Sequence, residues 1–209
     1  MLTTSIKVYF DNVKRFEDKA LFDSEYQTMP LSRRQNIDKM RFDKDKRLSL
    51  GAGVLLRDAL KEFGITEYEV VYTEKGKPFI PDLEDKVKFS LSHSSEMVMC
   101  VLSFDENGNA PSVGCDIEEI KPIDLKIPER FFTEEDYKEI LSSDDKDSAF
   151  YRLWTLKESF LKLKGEGLSF GLNSVRTVSS KEYEFVEIDE IDGYKAAYCV
   201  EVQNGKEEK

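Results

Sequence analysis

No stretch of this 209-residue chain approaches the ~20 consecutive apolar residues of a membrane span, and the N-terminus, MLTTSIKVYF, has no basic segment leading into a long apolar run. A membrane or exported protein is therefore not expected. Cysteine is scarce. Cys100, Cys115 and Cys199 lie far apart, show no CxxC spacing, and are odd in number, so they complete no disulfide framework. They read as buried reduced thiols of a cytoplasmic protein. Histidine occurs once, at His93, with no second His or Cys placed to make a zinc site. A basic excess is also missing. The formal net charge is -11, whereas nucleic-acid binders draw most of their affinity from Lys and Arg on phosphates. Nucleic acid is therefore not expected as the main partner. An anionic small ligand fits only if basic side chains cluster locally or a metal ion offsets the field.

What is present supports a folded core. Hydrophobic residues make up 40% and aromatics 11%, and the 35% of charged residues are spread among apolar periodic segments. Residues 5–10 alternate as a strand. The basic stretch 31–48 leads into LSLGAGVLLRDALKEFG, which has helical apolar spacing and a stop at Gly64. A β-rich run with a turn at Lys75–Gly76 and Pro78 follows, then strands at 87–92, 96–104 and 113–120. In the second half, Thr133 with Asp136 three residues on resembles a capping box. A longer helix covers about 146–164 and stops at Gly165 or Gly167. SVRTVSS, YEFVEID and YKAAYCVEV are read as three closing strands, and QNGKEEK as a polar, frayed tail. The order is α+β. The turn-rich segment 105–112 divides a half covering 1–106 from one covering 107–209. No internal sequence repeat is evident, although two halves with such similar element content can still be structurally related.

Three carboxylates carry the chemistry. Asp116 and Glu118, one residue apart on a strand, point to the same face, and Ile117 points the other way. By itself this pair reads more readily as an edge strand with solvated acids. Gly114 just upstream lets another backbone or a ligand come close. On the long helix, Trp154, Glu158 and Lys162 follow at i, i+4 and i+8, with Leu153, Leu156, Phe160 and Leu163 supplying apolar surface beside them. If that stripe faces the Asp116 strand, three carboxylates converge. All-oxygen ligation of this kind suits Mg²⁺, with Mn²⁺ as an alternative, and Lys162 would neutralise further phosphate charge. Ser92 and His93 at a strand end can bind a phosphate oxygen. Lys77–Pro78 after Gly76 is, as a dipeptide, turn chemistry.

Taken in order, Gly76-Lys77-Pro78, Phe89-Ser90-Leu91-Ser92-His93, Gly114-Cys115-Asp116-Ile117-Glu118 and Trp154-Thr155-Leu156-Lys157-Glu158-Ser159-Phe160-Leu161-Lys162 resemble the 4'-phosphopantetheinyl transferases of the surfactin-synthetase-activating (Sfp-type) branch. The resemblance implies two fused pseudo-symmetric halves, each a small antiparallel sheet packed with helices, with the active site at their interface. The first half would bind the coenzyme A nucleotide, and the second would hold the metal and catalyse. The implied reaction moves the 4'-phosphopantetheine arm of coenzyme A to a serine of an acyl or peptidyl carrier protein and releases adenosine 3',5'-bisphosphate. Asp116, Glu118 and Glu158 match the magnesium-binding acids, with Glu158 also the candidate base, and Lys162 matches the lysine near the pyrophosphate. Ser92, His93, Lys77, Pro78 and Arg47 match residues that contact coenzyme A. Gln35, Ile37 and Asp38 interrupt the basic run, so Arg33, Arg34, Lys39 and Arg41 receive no firm role. Fusion of the halves implies a monomer. The carrier is expected to dock near Ile127–Phe132, with Phe131 and Phe132 read either as an exposed patch or as a helix-entry staple in the core, and with Lys121 and Lys126 beside it. Two other classes share parts of this constellation: a coenzyme A or nucleotide-binding module without activity, and a metal-dependent phosphohydrolase.

Overall fold

The computed structural model describes residues 4–165 and 171–203. They form two compact units, Met1–Ala110 and Pro111–Lys209.

The first unit opens with β1 (Ser5–Asn12), whose last residue caps a 3-10 turn over Val13–Glu17. Two short helices follow, α1 (Lys19–Gln27) and α2 (Leu31–Asp38), neither evident from periodicity. Their apolar faces are too short to show a repeat. α1 is held at its start by Asp18, whose side chain accepts from the Ala20 and Leu21 amides at 2.9 and 3.3 Å. α3 (Asp43–Lys61) begins about one turn before the apolar spacing does, with Asp43 and Asp45 placed favourably at the positive end of its dipole. It ends near Gly64, which takes φ +74°. The small hairpin β2 (Val71–Tyr72) and β3 (Pro78–Phe79) turns at Gly76, φ +85°. β4 (Val87–Ser94) and β5 (Met97–Phe104) form a second, tight hairpin. The sheet order is β1-β5-β4, antiparallel throughout, and Val98 to Leu102 of the central strand are wholly buried.

The second unit repeats that connectivity. β6 (Val113–Glu119) is followed by α4 (Lys126–Phe131), α5 (Glu134–Ser142) and α6 (Lys146–Lys164). The closing hairpin is β7 (Tyr183–Ile188) and β8 (Tyr194–Glu201), and the sheet order is β6-β8-β7. In each unit an edge strand comes first, then helices of which the last has 19 residues, then a hairpin whose second strand inserts at the centre. The α+β expectation is met, and the shared topology appears without a sequence repeat because hydrophobic period, not residue identity, specifies it. The Thr133/Asp136 capping box is present on both sides. α6 ends at Gly165, φ +67°. Gly167 and the residues after Gln203 lie outside the described residues.

One expected strand does not form. SVRTVSS starts inside a 3-10 turn (Leu172–Ser174), and the Val175 carbonyl accepts from the buried Lys157 ammonium at 2.6 Å instead of from a neighbouring strand. Ser179 and Ser180 then use their hydroxyls to accept from the amides of Phe185, Glu182 and Tyr183.

α6 lies on β6 and β8, and its backbone comes closest at Gly114. A methyl group there would fall inside the envelopes of the Ser159 carbonyl oxygen and the Leu163 amide nitrogen. Neither is a side-chain tip that can swing away, so the helix would have to lift from the strand. Gly114→Ala is expected to cost roughly 2 kcal/mol or more by overpacking, lowering Tm by roughly 4–8 °C in thermal unfolding followed by circular dichroism.

Candidate active site

The contact at Gly114 sets which residues of α6 face β6. Beyond it, Asp116 stands opposite Lys162, and the Lys162 Nζ donates to Asp116 Oδ1 at 2.7 Å. Asp116 is 3% exposed, so this ion pair sits at the edge of the core. Burial disfavours the Lys162 ammonium, but attraction to Asp116 outweighs it and raises the pKa above the ordinary lysine value. Glu158, one turn before Lys162, is half-buried, and its Oε1 is buried with no hydrogen-bond partner among the described residues. Its carboxyl is pushed up by burial first and by the Asp116 charge second, with a smaller push from Glu118, against the lowering effect of Lys162. Glu118 is half-buried on the same face of β6 as Asp116. The acids predicted from sequence therefore do share one electrostatic neighbourhood.

Trp154 does not join that face. From residue 154 to 162 a helix turns roughly 80° past two full circles, and the tryptophan ring instead packs with Phe150 and Phe132, at 5.6 and 6.3 Å between centroids. It anchors the helix from the other side. Phe131 and Phe132, read as a pair, are split by the end of α4: Phe131 is 46% exposed and Phe132 only 6%. Exposed Ile127 lies one turn before Phe131 on the same face.

A metal ion would need these carboxylates drawn together. As the side chains stand, no group of three His, Cys, Asp or Glu residues at metal-ligand spacing occurs among the described residues. The donor set nevertheless fits a hard divalent cation. It is all carboxylate oxygen, one oxygen of Glu158 is buried without a partner among the described residues, and the repulsion among the acids is of a kind that a bound cation would relieve.

The residues of the first unit lie on separate elements. Pro78 starts β3 with Lys77 directly before it, and the turn there is held by Thr73, whose hydroxyl accepts from the Lys77 amide at 3.0 Å. Ser92 is buried and His93 exposed near the end of β4, one residue before a hairpin turn in which Ser95 adopts φ +55°. Arg47 stands in the second turn of α3, 3.8 Å from Glu17, and lines an open cavity with Phe16, Lys19, Phe22 and Lys46. Its Nε is buried without a hydrogen-bond partner among the described residues.

Sequence reasoning missed Lys157. It looks like one more helical lysine but is fully buried, with its ammonium 2.8 Å from Asp136 Oδ2. Two signals were available: its place inside the Trp154–Lys162 motif, and its position between Leu156 and Leu161 on the apolar side of a 3.6-residue period.

Comparison with known proteins gives a consistent answer. Residues 112–208 match the model of the 4'-phosphopantetheinyl transferase superfamily. The 4'-phosphopantetheinyl transferase psf-1 of Bacillus pumilus is 35% identical over 177 residues, covering 81% of this chain and 73% of that protein. The 4'-phosphopantetheinyl transferase Sfp of Bacillus subtilis is 32% identical over 206 residues, covering 83% and 89%. A third, the 4'-phosphopantetheinyl transferase ffp of Bacillus subtilis, is 35% identical over 185 residues, covering 80% of each.

The raised carboxyl of Glu158 has a consequence for stability. Its folded pKa lies above its unfolded one, so folding binds a proton there. The charged form destabilises the fold, fully so above the folded pKa and progressively less as pH falls to the unfolded value of about 4.5. Glu158→Gln is expected to raise the Tm of the metal-free protein at pH 7 and to leave it unchanged below pH ~4, where both forms are neutral, as calorimetry across pH would show.

Proposed function

The chain belongs to the 4'-phosphopantetheinyl transferase superfamily, and from that membership we propose that Asp116, Glu118, Glu158 and Lys162 carry its transfer reaction with magnesium. The enzyme transfers phosphopantetheine to carrier proteins, and its relatives are named 4'-phosphopantetheinyl transferases. The arm comes from coenzyme A. The carrier's serine oxygen attacks the phosphorus that bears the pantetheine arm, the bond to the bridging pyrophosphate oxygen breaks, and adenosine 3',5'-bisphosphate leaves. The observation that supports this assignment is the Lys162–Asp116 ion pair with the half-buried Glu158 beside it.

Each residue has a distinct task in this reading. Mg²⁺, or Mn²⁺, held by Asp116, Glu118 and Glu158 would supply positive charge to the pyrophosphate and its leaving oxygen. Lys162 adds a second positive charge, kept protonated by its partner acid. Glu158, as a deprotonated carboxylate, accepts the proton of the attacking hydroxyl. In the first unit, Ser92 and His93 contact phosphate oxygens, Lys77 and Pro78 lie along the adenine nucleotide, and Arg47 takes the 3'-phosphate. The half ending near residue 106 thus binds nucleotide, and the half beginning near 107 holds the metal and reacts. Little covalent work is left to the protein, so positioning and charge supply most of the rate. A cytoplasmic setting accords with three buried thiols, the described helices are all too short or too polar to cross a membrane, and a monomer follows in this reading from the fusion of the two halves.

The carrier docks on α4 in this reading. Carrier domains of this kind are acidic and the chain is acidic overall, so contact needs local apolar and basic groups. Ile127 and Phe131 supply the first, and Lys126 and Arg130 the second, with the Arg130 guanidinium 5.1 Å from the Phe131 ring centre.

Mass spectrometry of a carrier protein incubated with this enzyme, coenzyme A and magnesium is expected to show the gain of one phosphopantetheine on a serine. A metal-dependent phosphohydrolase, which directs water at the same phosphorus, would leave the carrier unmodified. Asp116→Ala is expected to lower kcat by at least ~100-fold, and near wild-type transfer would exclude the metal assignment. Charge reversal at Lys121 and Lys126 is expected to raise the KM for the carrier with little change for coenzyme A, and an unchanged carrier KM would exclude that face.

A further inference from the structure

Directly before Glu158 in the chain, Lys157 points away from the reactive face into the core. Its ammonium donates to the Leu172 and Val175 carbonyls at 3.2 and 2.6 Å and is paired with Asp136 at 2.8 Å. Asp136 is not an isolated partner. Its carboxylate also accepts from the Thr133 amide at 3.1 Å and the Thr133 hydroxyl at 2.7 Å, completing the box that starts α5. The Phe132 ring centre lies 5.4 Å from the same ammonium. Phe132 is bonded through its amide to the Pro128 carbonyl of α4 at 3.0 Å, and its neighbour Phe131 is exposed. One buried cation therefore joins the middle of α6, the end of α4, the start of α5 and the turn at 172–175.

Core packing alone does not account for it. An apolar side chain of the same length would fill the space without the cost of removing an ammonium from water, and buried ion pairs replaced by apolar groups often leave stability equal or better. What a charge provides here is direction. Three oxygens and an aromatic face converge on one point and admit one arrangement of the segments that carry them.

We propose that Lys157 is a positioning residue that holds α4 and the start of α5, and with them Ile127 and Phe131, in fixed register with Glu158. The proposal rests on the reading of Ile127 and Phe131 as the carrier-docking face. Lys157 touches neither substrate. It acts through the Asp136 cap and the Phe132 ring, so that a carrier seated on α4 presents its serine at the height of Glu158. Loosening this link affects the carrier and not the coenzyme.

The test uses the full chain with carrier and coenzyme A varied separately. Asp136→Asn keeps an acceptor for Lys157 and for the Thr133 cap but removes the charge, and Lys157→Met replaces the ammonium with an apolar chain of similar length. Both are expected to raise the carrier KM about tenfold with the coenzyme A KM within about twofold, the pattern of a lost carrier-specific interaction. If Lys157→Met does not fold, Asp136→Asn carries the comparison alone. A lowered Tm with an unchanged carrier KM would reduce the pair to a structural role and overturn the proposal, as would an equal rise in both constants. Phe131→Ala separates the two levels. If it leaves the carrier KM unchanged, the docking face is wrong and this inference falls with it. If it raises the carrier KM while Asp136→Asn does not, the inference alone fails.

Discussion

The approach of α6 to β6 at Gly114 governs the second unit. A helix normally keeps its distance from a strand through the side chains between them. Here one side of that spacing is missing, and the Ser159 carbonyl and Leu163 amide lie directly over the glycine. The rotation of α6 is then set by backbone contact, which is stiffer than contact between mobile side chains. Glu158 and Lys162 are carried to the acid face of β6, while Trp154 and Lys157 are carried away from it into the packing with Phe132 and Phe150.

That placement concentrates like charge at the edge of a core, an arrangement folding alone would disfavour. Asp116 is tolerable there because Lys162 sits on it. Among the described residues Glu158 Oε1 is buried with no hydrogen-bond partner, and the outcome is a carboxyl whose charged form is disfavoured. The region thus holds a surplus of negative potential beside one fixed ammonium. Stability is given up where these charges gather, a common relation between stability and activity at candidate active sites. Lys157 shows the opposite solution three residues from the Trp154 ring: a cation wholly enclosed, with a carboxylate and two carbonyls arranged around it.

Two lysines and two phenylalanines show where one-dimensional reading stops. Lys157 and Lys162 both sit in a helical run of alternating charge and leucine, yet one is buried against Asp136 and the other bridges to Asp116 from a position about one-third exposed. Periodicity places 157 on the apolar side but cannot name its partner, because Asp136 lies in another helix. Phe131 and Phe132 are adjacent and chemically identical, and only the end of α4 sends one outward and the other inward. SVRTVSS has the composition of a strand, and a hydrogen bond from a residue 18 positions away takes its carbonyl out of any ladder.

The amino-acid sequence by itself determined the local units: the alternating strands, the two long helices, the Thr133 cap and a glycine stop at Gly165 or Gly167, all set by interactions among residues within a few positions of one another. It also singled out the candidate site residues, since the order and spacing of Lys77–Pro78, Ser92–His93, Asp116, Glu118, Glu158 and Lys162 are visible in one dimension. Tertiary structure decided which of these charges meet. The pairing of Lys162 with Asp116, the enclosure of Lys157 and the exposure of Phe131 follow from how closely α6 can lie on β6. That closeness is a packing distance between elements distant in sequence, legible beforehand only as a glycine at 114.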